Sequence, residues 1–236
     1  MKAIVFAAGL GLRLRPLTDS LPKALVDVNG APMLELVIRR LAAAGVTGLV
    51  VNTHHFHEKI AAFLAARNNF GLDIALSREE GFPLETGGGL RKAAPLLAGS
   101  EPFFAYNADV YSTLDLRALY AAHRASGALA TLAVRERPSR RRLLFDSNLN
   151  LRGREGEAAP AGLRPLAFSG IQVISPAFLG KMTESGVFSI TPVHLRLAAA
   201  GEPIKGFEDA SDFWCDIGDP ARLETVRERA SVDFPR

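Results

Sequence analysis

The sequence predicts an α/β fold in which a mostly parallel, mixed sheet is covered by helices on both faces. Two observations carry that expectation. In the first half of the chain, short β-rich runs alternate with stretches whose apolar residues recur at helical spacing. Strands separated by helices pair in parallel through right-handed crossovers. In the second half, the runs at 128–134, 142–145 and 166–174 follow one another without a long helical pattern between them. They extend the same sheet with mixed polarity.

Taken in order, residues 2–7 form a compact apolar strand. Residues 34–44 carry apolar side chains at helical spacing, with Pro32 as a starter and Gly45 as a stop. The valine-rich run 46–53 is the second strand, and 58–67 is a helix ended by Asn68, Asn69 and Gly71. Runs 72–77 and 102–107 are the third and fourth strands, with helices expected to open within 84–89 and near Asp115. Toward the C-terminus, helices near 192–200 and 220–230 flank a strand at 213–216. No long linker, repeat or low-complexity stretch interrupts this order, so one domain spanning 1–236 is the simplest organisation.

With 236 residues, 48% of them hydrophobic, the chain can bury a sizeable core, which argues against disorder. A net charge of only +3, without a lysine-rich tract, argues against nucleic acid as the partner. The single cysteine, Cys215, allows no intrachain disulfide and suits a reducing compartment. The N-terminal apolar run is too short for a signal peptide and is broken by Gly9 and Arg13. Nothing approaches the roughly 20 apolar residues of a membrane span. A soluble cytoplasmic protein with no membrane partner is expected, and its oligomeric state is left open.

The strongest chemical signal follows the first strand: Ala7-Ala8-Gly9-Leu10-Gly11-Leu12-Arg13-Leu14-Arg15-Pro16-Leu17-Thr18, then Pro22-Lys23. Glycines after a strand let backbone N–H groups approach phosphate oxygens, and successive amides form an anion-binding concavity. Cations in the same loop would neutralise a triphosphate. Leu14 stands where a dinucleotide fingerprint needs its third glycine, and no Gly-Lys-Ser/Thr of a Walker loop follows. A second motif, Leu84-Glu85-Thr86-Gly87-Gly88-Gly89, opens a helix. Three glycines there are costly in backbone entropy, and a flat ligand against the backbone would explain them.

Two aspartates far apart in sequence form the third signal. Asp109 follows the strand ending in Tyr106-Asn107, and Asp216 follows Phe213-Trp214-Cys215. Carboxylates at the C-terminal ends of parallel strands stand where α/β sheets place ligands. Mg²⁺ is held by one or two carboxylates plus phosphate and water. Aspartates also cap helices, and Asp109 lies shortly before the helix near Asp115.

These strings together resemble the signature of the sugar-1-phosphate nucleotidyltransferase family: Gly-x-Gly-x-Arg, Pro-x-Thr and Pro-Lys, here Gly9, Gly11, Arg13, Pro16, Thr18, Pro22 and Lys23. The resemblance covers nearly the whole chain. Within the family it looks most like the short N-acetylmuramate-1-phosphate uridylyltransferases of cell-wall recycling, on Pro83 to Gly89, Phe168-Ser169-Gly170-Ile171 and Phe188-Ser189-Ile190-Thr191-Pro192. It implies a Rossmann-like three-layer sandwich of the nucleotide-diphospho-sugar transferase type. It also implies Arg13 and Lys23 as catalytic cations and a nucleotide site made of Ala8, Gly9, Gly11, Leu12, Arg13, Glu85, Thr86, Gly87 and Gly88. Asn107, Ser169 and Gly170 would meet the sugar phosphate, and Asp109 and Asp216 would hold Mg²⁺.

The chain departs from the family's pattern at Ala24, where proline is frequent, and at Ala108, where glycine is usual. A Glu-Lys-Pro triplet, whose lysine grips the sugar phosphate in many relatives, is missing. The arginines at 135, 137, 140, 141 and 142 are candidates to replace it, or a solvated loop. His54, His55 and His57 lack ligands at zinc spacing and read as a surface loop or partner contact. Cys215 reads as a buried strand residue.

The implied reaction joins an NTP to a sugar 1-phosphate with release of pyrophosphate, by in-line attack at the α-phosphorus. UTP with N-acetylmuramate 1-phosphate heads the expectation. GTP with mannose or heptose 1-phosphate, and CTP with a phosphorylated alcohol, stand beside it. A glycosyltransferase would carry an Asp-x-Asp motif, but Asn107 occupies its first position. A catalytically silent nucleotide-sugar-binding regulator is the reading from another class.

Overall fold

The computed structural model describes residues 1–158 and 160–233. In chain order it contains β1 (Lys2–Phe6), β2 (Asp27–Val28), β3 (Ala31–Pro32), α1 (Met33–Ala43), β4 (Gly48–Thr53), α2 (His57–Ala66), β5 (Asp73–Arg78), α3 (Glu85–Ala93), β6 (Phe103–Asn107) and β7 (Val110–Ser112). Then follow α4 (Leu116–Ser126), β8 (Ala130–Arg135), β9 (Arg142–Phe145), β10 (Leu151–Arg154), β11 (Arg164–Ile174), α5 (Pro176–Gly180), α6 (Ile190–Ala199), β12 (Ile204–Glu208), β13 (Trp214–Asp216) and α7 (Pro220–Asp233).

Strands β6, β1, β4 and β5 lie side by side in parallel, as the alternating first half requires. The second half extends this sheet with mixed polarity. β11 runs antiparallel to β6, β8 and β9, and β12 pairs in parallel with β8. Alternation along the central strands explains why both faces are covered. Ala3, Val5, Phe104 and Tyr106 pack into one cluster with Ile38 and Leu41 of α1, Ile60 of α2, Leu119 of α4 and Val226 of α7. Ile4, Phe103 and Ala105 point the other way, to Leu90 of α3, Phe178 of α5 and Val193 and Leu197 of α6. The result is a three-layer helix–sheet–helix sandwich.

Local chemistry sets the element ends. Asp115 accepts from Ala118 N at 3.0 Å and Gly127 closes the helix at φ 63°, bounding α4. Gly45, at φ 98°, follows α1 as its sequence position implies. The short strands β2, β3, β7, β10 and β12 are absent from the sequence expectation. β2, β3 and β7 are only two or three residues long, and Arg152-Gly153-Arg154 of β10 and Lys205-Gly206 of β12 leave no apolar alternation to read. Among the described residues no helix is long and apolar enough to cross a membrane.

Candidate active site

The C-terminal ends of the parallel strands converge on a cavity of about 550 Å³. Its floor and walls come from the loop after β1 (Ala7 to Arg13), Lys23, Asn52 near the end of β4, Pro83, Glu85 and Thr86, Asn107 to Asp109 at the end of β6, and Gly218. This is where an open α/β sheet places ligands. Ala8, Gly9, Gly11, Leu12, Arg13, Lys23, Glu85, Thr86, Asn107 and Asp109, all singled out from sequence, line it.

The loop is shaped by Gly11, whose left-handed backbone (φ 66°) starts a 3-10 turn at Leu12–Leu14. A Cβ there would lie 3.0 Å from both Thr18 Cγ2 and Lys23 Cβ. Thr18 Oγ1 donates to Gly11 O at 2.9 Å, so the signature threonine folds the loop back on itself. Gly9 has open space around its Cα and keeps its backbone accessible.

The two aspartates meet through a two-stranded ribbon. β13 runs antiparallel to β7 with Asp216 opposite Val110, and Ile217 N donates to Asp109 O at 2.9 Å. Asp109 is ion-paired with Lys23. Asp216 is ion-paired with Arg222 at 2.6 Å. A Cβ on Gly218 would collide with Asp216 Oδ1 and come within 3.1 Å of Arg13 Nη2. Glycine at 218 therefore leaves room for the side chains of both Arg13 and Asp216.

The structure gives a different reason for the glycines of 87–89. A Cβ on Gly87 would lie 2.8 Å from Phe188 O, one on Gly88 2.5 Å from Gly186 O, and one on Gly89 2.5 Å from Asn52 Nδ2 and 2.7 Å from Glu79 Oε1. The amides of Gly87 and Gly88 both donate to Phe188 O, at 2.9 and 3.1 Å. Gly87 and Gly88 are buried against segment 186–188 and Gly89 against Asn52 and Glu79, and none of the three lines the cavity, which corrects the expectation that they lie flat against a ligand. Thr86 faces the cavity, and its Oγ1 accepts from Ile190 N at 3.1 Å, capping α6. Glu85 holds a left-handed backbone, φ 59°, a strained conformation for a residue with a side chain.

On the acceptor side, Gly170 (φ 76°) lets Asn107 approach: a Cβ there would sit 2.7 Å from Asn107 Nδ2. Ser169 is fully buried, and its Oγ has no partner among the described residues. Its carbonyl accepts from Trp214 Nε1 at 2.8 Å. The arginines of 135–142 do not act as one cluster. Arg135 pairs with Asp209 and Arg142 with Glu155, while Arg140 and Arg141 are exposed.

Two residues were not found by sequence reasoning. Asn52 Oδ1 accepts from Ala7 N at 2.7 Å, and Asn52 Nδ2 donates to Glu79 Oε1 at 2.6 Å. Glu79 Oε2 accepts from Leu84 N at 2.7 Å. This buried relay ties the loop after β1 to the 84–86 segment. Burial raises the Glu79 carboxyl above its ordinary pKa, against the opposing hydrogen bonds from Leu84 and Asn52. The only sequence signal was a polar residue inside an apolar strand.

The histidines line a second hollow beside Glu79. His54 Nδ1 is bonded to Glu79 O at 2.9 Å and His57 Nδ1 to Thr53 Oγ1 at 2.7 Å, while His55 is exposed. Cys215 is a strand residue, as expected, but half-buried; that burial pushes its thiol up.

The sandwich and its strand-end cavity place the chain among the Rossmann-like three-layer α/β folds. The nucleotidyl transferase family model matches residues 2–143. The chain is 33% identical to an N-acetylmuramate alpha-1-phosphate uridylyltransferase of Neisseria meningitidis serogroup B, covering 98% of this chain and 99% of that one. It is 30% identical to a mannose-1-phosphate guanyltransferase of Gibberella zeae, over 93% of this chain and 61% of the relative. In fold it resembles a UDP-glucose pyrophosphorylase from Acinetobacter baumannii, with TM-score 0.81 and 18% identity, covering 100% of this chain and 94% of that one. The chain belongs to the nucleotidyl transferase family.

Proposed function

We propose that this enzyme transfers a uridylyl group from UTP to N-acetylmuramate 1-phosphate, releasing pyrophosphate, with Mg²⁺ as its metal. The observation that carries the reading is that Arg13, Lys23 and Asp109 line one strand-end cavity with a glycine loop, and that Asp216 stands beside Gly218 of its wall. The uridylyl and N-acetylmuramyl assignments are supported by near full-length similarity to the Neisseria relative.

The donor set suits Mg²⁺. Two carboxylates are joined by the ribbon, and among the described residues no third His, Cys, Asp or Glu completes a protein-only site. A hard cation that keeps water and phosphate oxygens fits such a pair. When bound, it supplies charge neutralisation at the phosphates.

The chain's own residues do the rest. Backbone amides of 8–11 and the Arg13 guanidinium receive the triphosphate, and Lys23 turns from Asp109 to phosphate. Thr86 and Pro83 bound the base side, and Asn107 and Gly170 the acceptor side. The attacking phosphate oxygen is already anionic at neutral pH, so the residues need only align it with the α-phosphorus and stabilise developing charge. Consumption of an NTP and a lone half-buried thiol fit a cytoplasmic enzyme.

A second reading, GTP with mannose 1-phosphate, is favoured by the similarity to the Gibberella relative. A pyrophosphate-release assay crossing UTP, GTP, CTP, ATP and dTTP with N-acetylmuramate, glucose, mannose and heptose 1-phosphates decides. Release requiring UTP and N-acetylmuramate 1-phosphate together is the expected result. Release only with GTP and mannose 1-phosphate would replace it with the second reading. No release from folded, nucleotide-binding protein would overturn both.

A further inference from the structure

The acceptor side of the cavity has no assigned cation, since Arg13 and Lys23 both belong to the triphosphate loop. Among the arginines of 135–142, Arg137 stands apart. Its guanidinium carbon lies 4.0 Å from the centroid of the Trp214 ring, stacked on the indole. Its Nη2 donates to Phe168 O at 3.1 Å. Trp214 is fixed in turn by its Nε1 bond to Ser169 O at 2.8 Å. Side chains two apart on a strand leave it on the same face. Trp214 and Asp216 are two apart on β13, so the guanidinium on Trp214 stands on the Asp216 side of the ribbon. The charge of Asp216 supports the Arg137 cation, although burial pulls its pKa down and Arg222 opposes it.

Arg137 is also incompletely used: besides the Nη2 bond, its Nη1 reaches only Pro138 O, at 3.4 Å. Its Nε is buried and has no partner among the described residues. A buried donor without a partner is costly, and a planar fork held against an aromatic ring is preorganised for a two-oxygen anion. No carboxylate is ion-paired with it among the contacts of the described residues, in contrast to Arg135 and Arg142.

We infer that Arg137 recognises the acceptor, binding an anionic oxygen group of the sugar 1-phosphate. That group is the phosphate or, on an N-acetylmuramyl acceptor, the lactyl carboxylate. In the second case Arg137 also sets specificity, because neutral sugars lack that anion. This inference rests on the reaction proposed above and assigns one residue of this chain within it.

The test measures steady-state kinetics of the wild type, Arg137→Met and Arg137→Lys with UTP, Mg²⁺ and N-acetylmuramate 1-phosphate. N-acetylglucosamine 1-phosphate serves as second acceptor or competitive inhibitor, and the Kd for UTP is measured separately. Arg137→Met is expected to raise the KM for N-acetylmuramate 1-phosphate about 10- to 100-fold, the loss of a charged hydrogen bond. The Kd for UTP should stay within about twofold, which also reports an intact fold. Arg137→Lys should recover part of the loss by keeping the charge without the fork. Loss on both acceptors supports the phosphate, and loss on N-acetylmuramate alone supports the carboxylate. An active wild type with unchanged acceptor constants in Arg137→Met, or a parallel fall in UTP binding, would overturn the inference alone. A wild type inert on every sugar 1-phosphate would overturn the proposed reaction, and this inference with it.

Discussion

Lys23 Nζ is ion-paired with Asp109 Oδ2 although the residues lie 86 positions apart, and their side chains are only 13% and 31% exposed. The loop cation and a proposed metal carboxylate therefore neutralise each other. In the proposed reaction, binding would separate them, with Lys23 meeting phosphate and Asp109 the Mg²⁺. Asp109→Asn keeps the size and removes the charge. It is expected to lower Mg²⁺-dependent turnover by about 10²-fold or more, the scale of losing one preorganised electrostatic partner. UTP binding without metal should be retained, because Lys23 is freed. Full turnover in the variant would remove Asp109 from the site.

Arg13 reaches the same point as Asp216 beside Gly218, and it faces the cavity from the loop. In the proposed reaction its guanidinium would meet charge developing on the α-phosphate and the leaving pyrophosphate. Arg13→Ala should reduce turnover by about 10²–10³. Because the side chain is exposed, stability should be nearly unchanged, so calorimetry on the same sample separates chemistry from folding. A fall below about threefold, far short of that range, would make Arg13 a solvated loop residue.

Local signals were legible and distant ones were not. The loop from Ala7 to Lys23 could be read because its glycines, arginine and lysine lie within one short string. The sheet core was legible from the apolar runs of β1, β4 and β6. Gly87 and Gly88 misled because their neighbours, Phe188 and Gly186, are about a hundred positions away, and spacing carries no trace of that packing. The link between Asn52 and Glu79 was hidden for the same reason. Arg137 looked like any other arginine in its run until Trp214 was brought against it.

Gly88 offers a test in which two effects oppose. Alanine is favoured over glycine inside a helix by about 1 kcal/mol, and the backbone of Gly88 needs no positive φ. Yet its Cβ would sit 2.5 Å from Gly186 O and 2.9 Å from Leu84 Cβ, an overlap worth about 1–3 kcal/mol or more. Packing should win. Gly88→Ala is expected to destabilise by about 1–2 kcal/mol, a drop of several degrees in Tm for a chain of this size. Gly180→Ala, in open space at the end of α5, is the control and should be neutral or slightly stabilising. A Gly88→Ala variant as stable as the control would show that segment 186–188 yields at little cost.

His194 gives the chain a defined acid sensitivity. It is fully buried on α6, between the rings of Phe168 and Phe178 at centroid distances of 6.4 and 5.4 Å. Neither ring nitrogen has a partner among the described residues. Burial pushes its pKa down from 6.5 to about 3, so the folded protein keeps it neutral where the unfolded chain takes up a proton. The unfolded state thus binds more protons, and the associated stability is full above about pH 6.5 and lost progressively as pH falls toward 3. His123, whose pKa burial lowers to about 4, adds to the same slope. His194→Leu should be at least as stable as the wild type at pH 7, because two unpartnered polar atoms leave the core. Between pH 6.5 and 4 its stability should fall less steeply than that of the wild type, with the remaining slope due in part to His123. Urea unfolding across that range measures both. Parallel curves for variant and wild type would mean that His194 is protonated in the folded state, and that the helix α6 face opens to water as the pH drops.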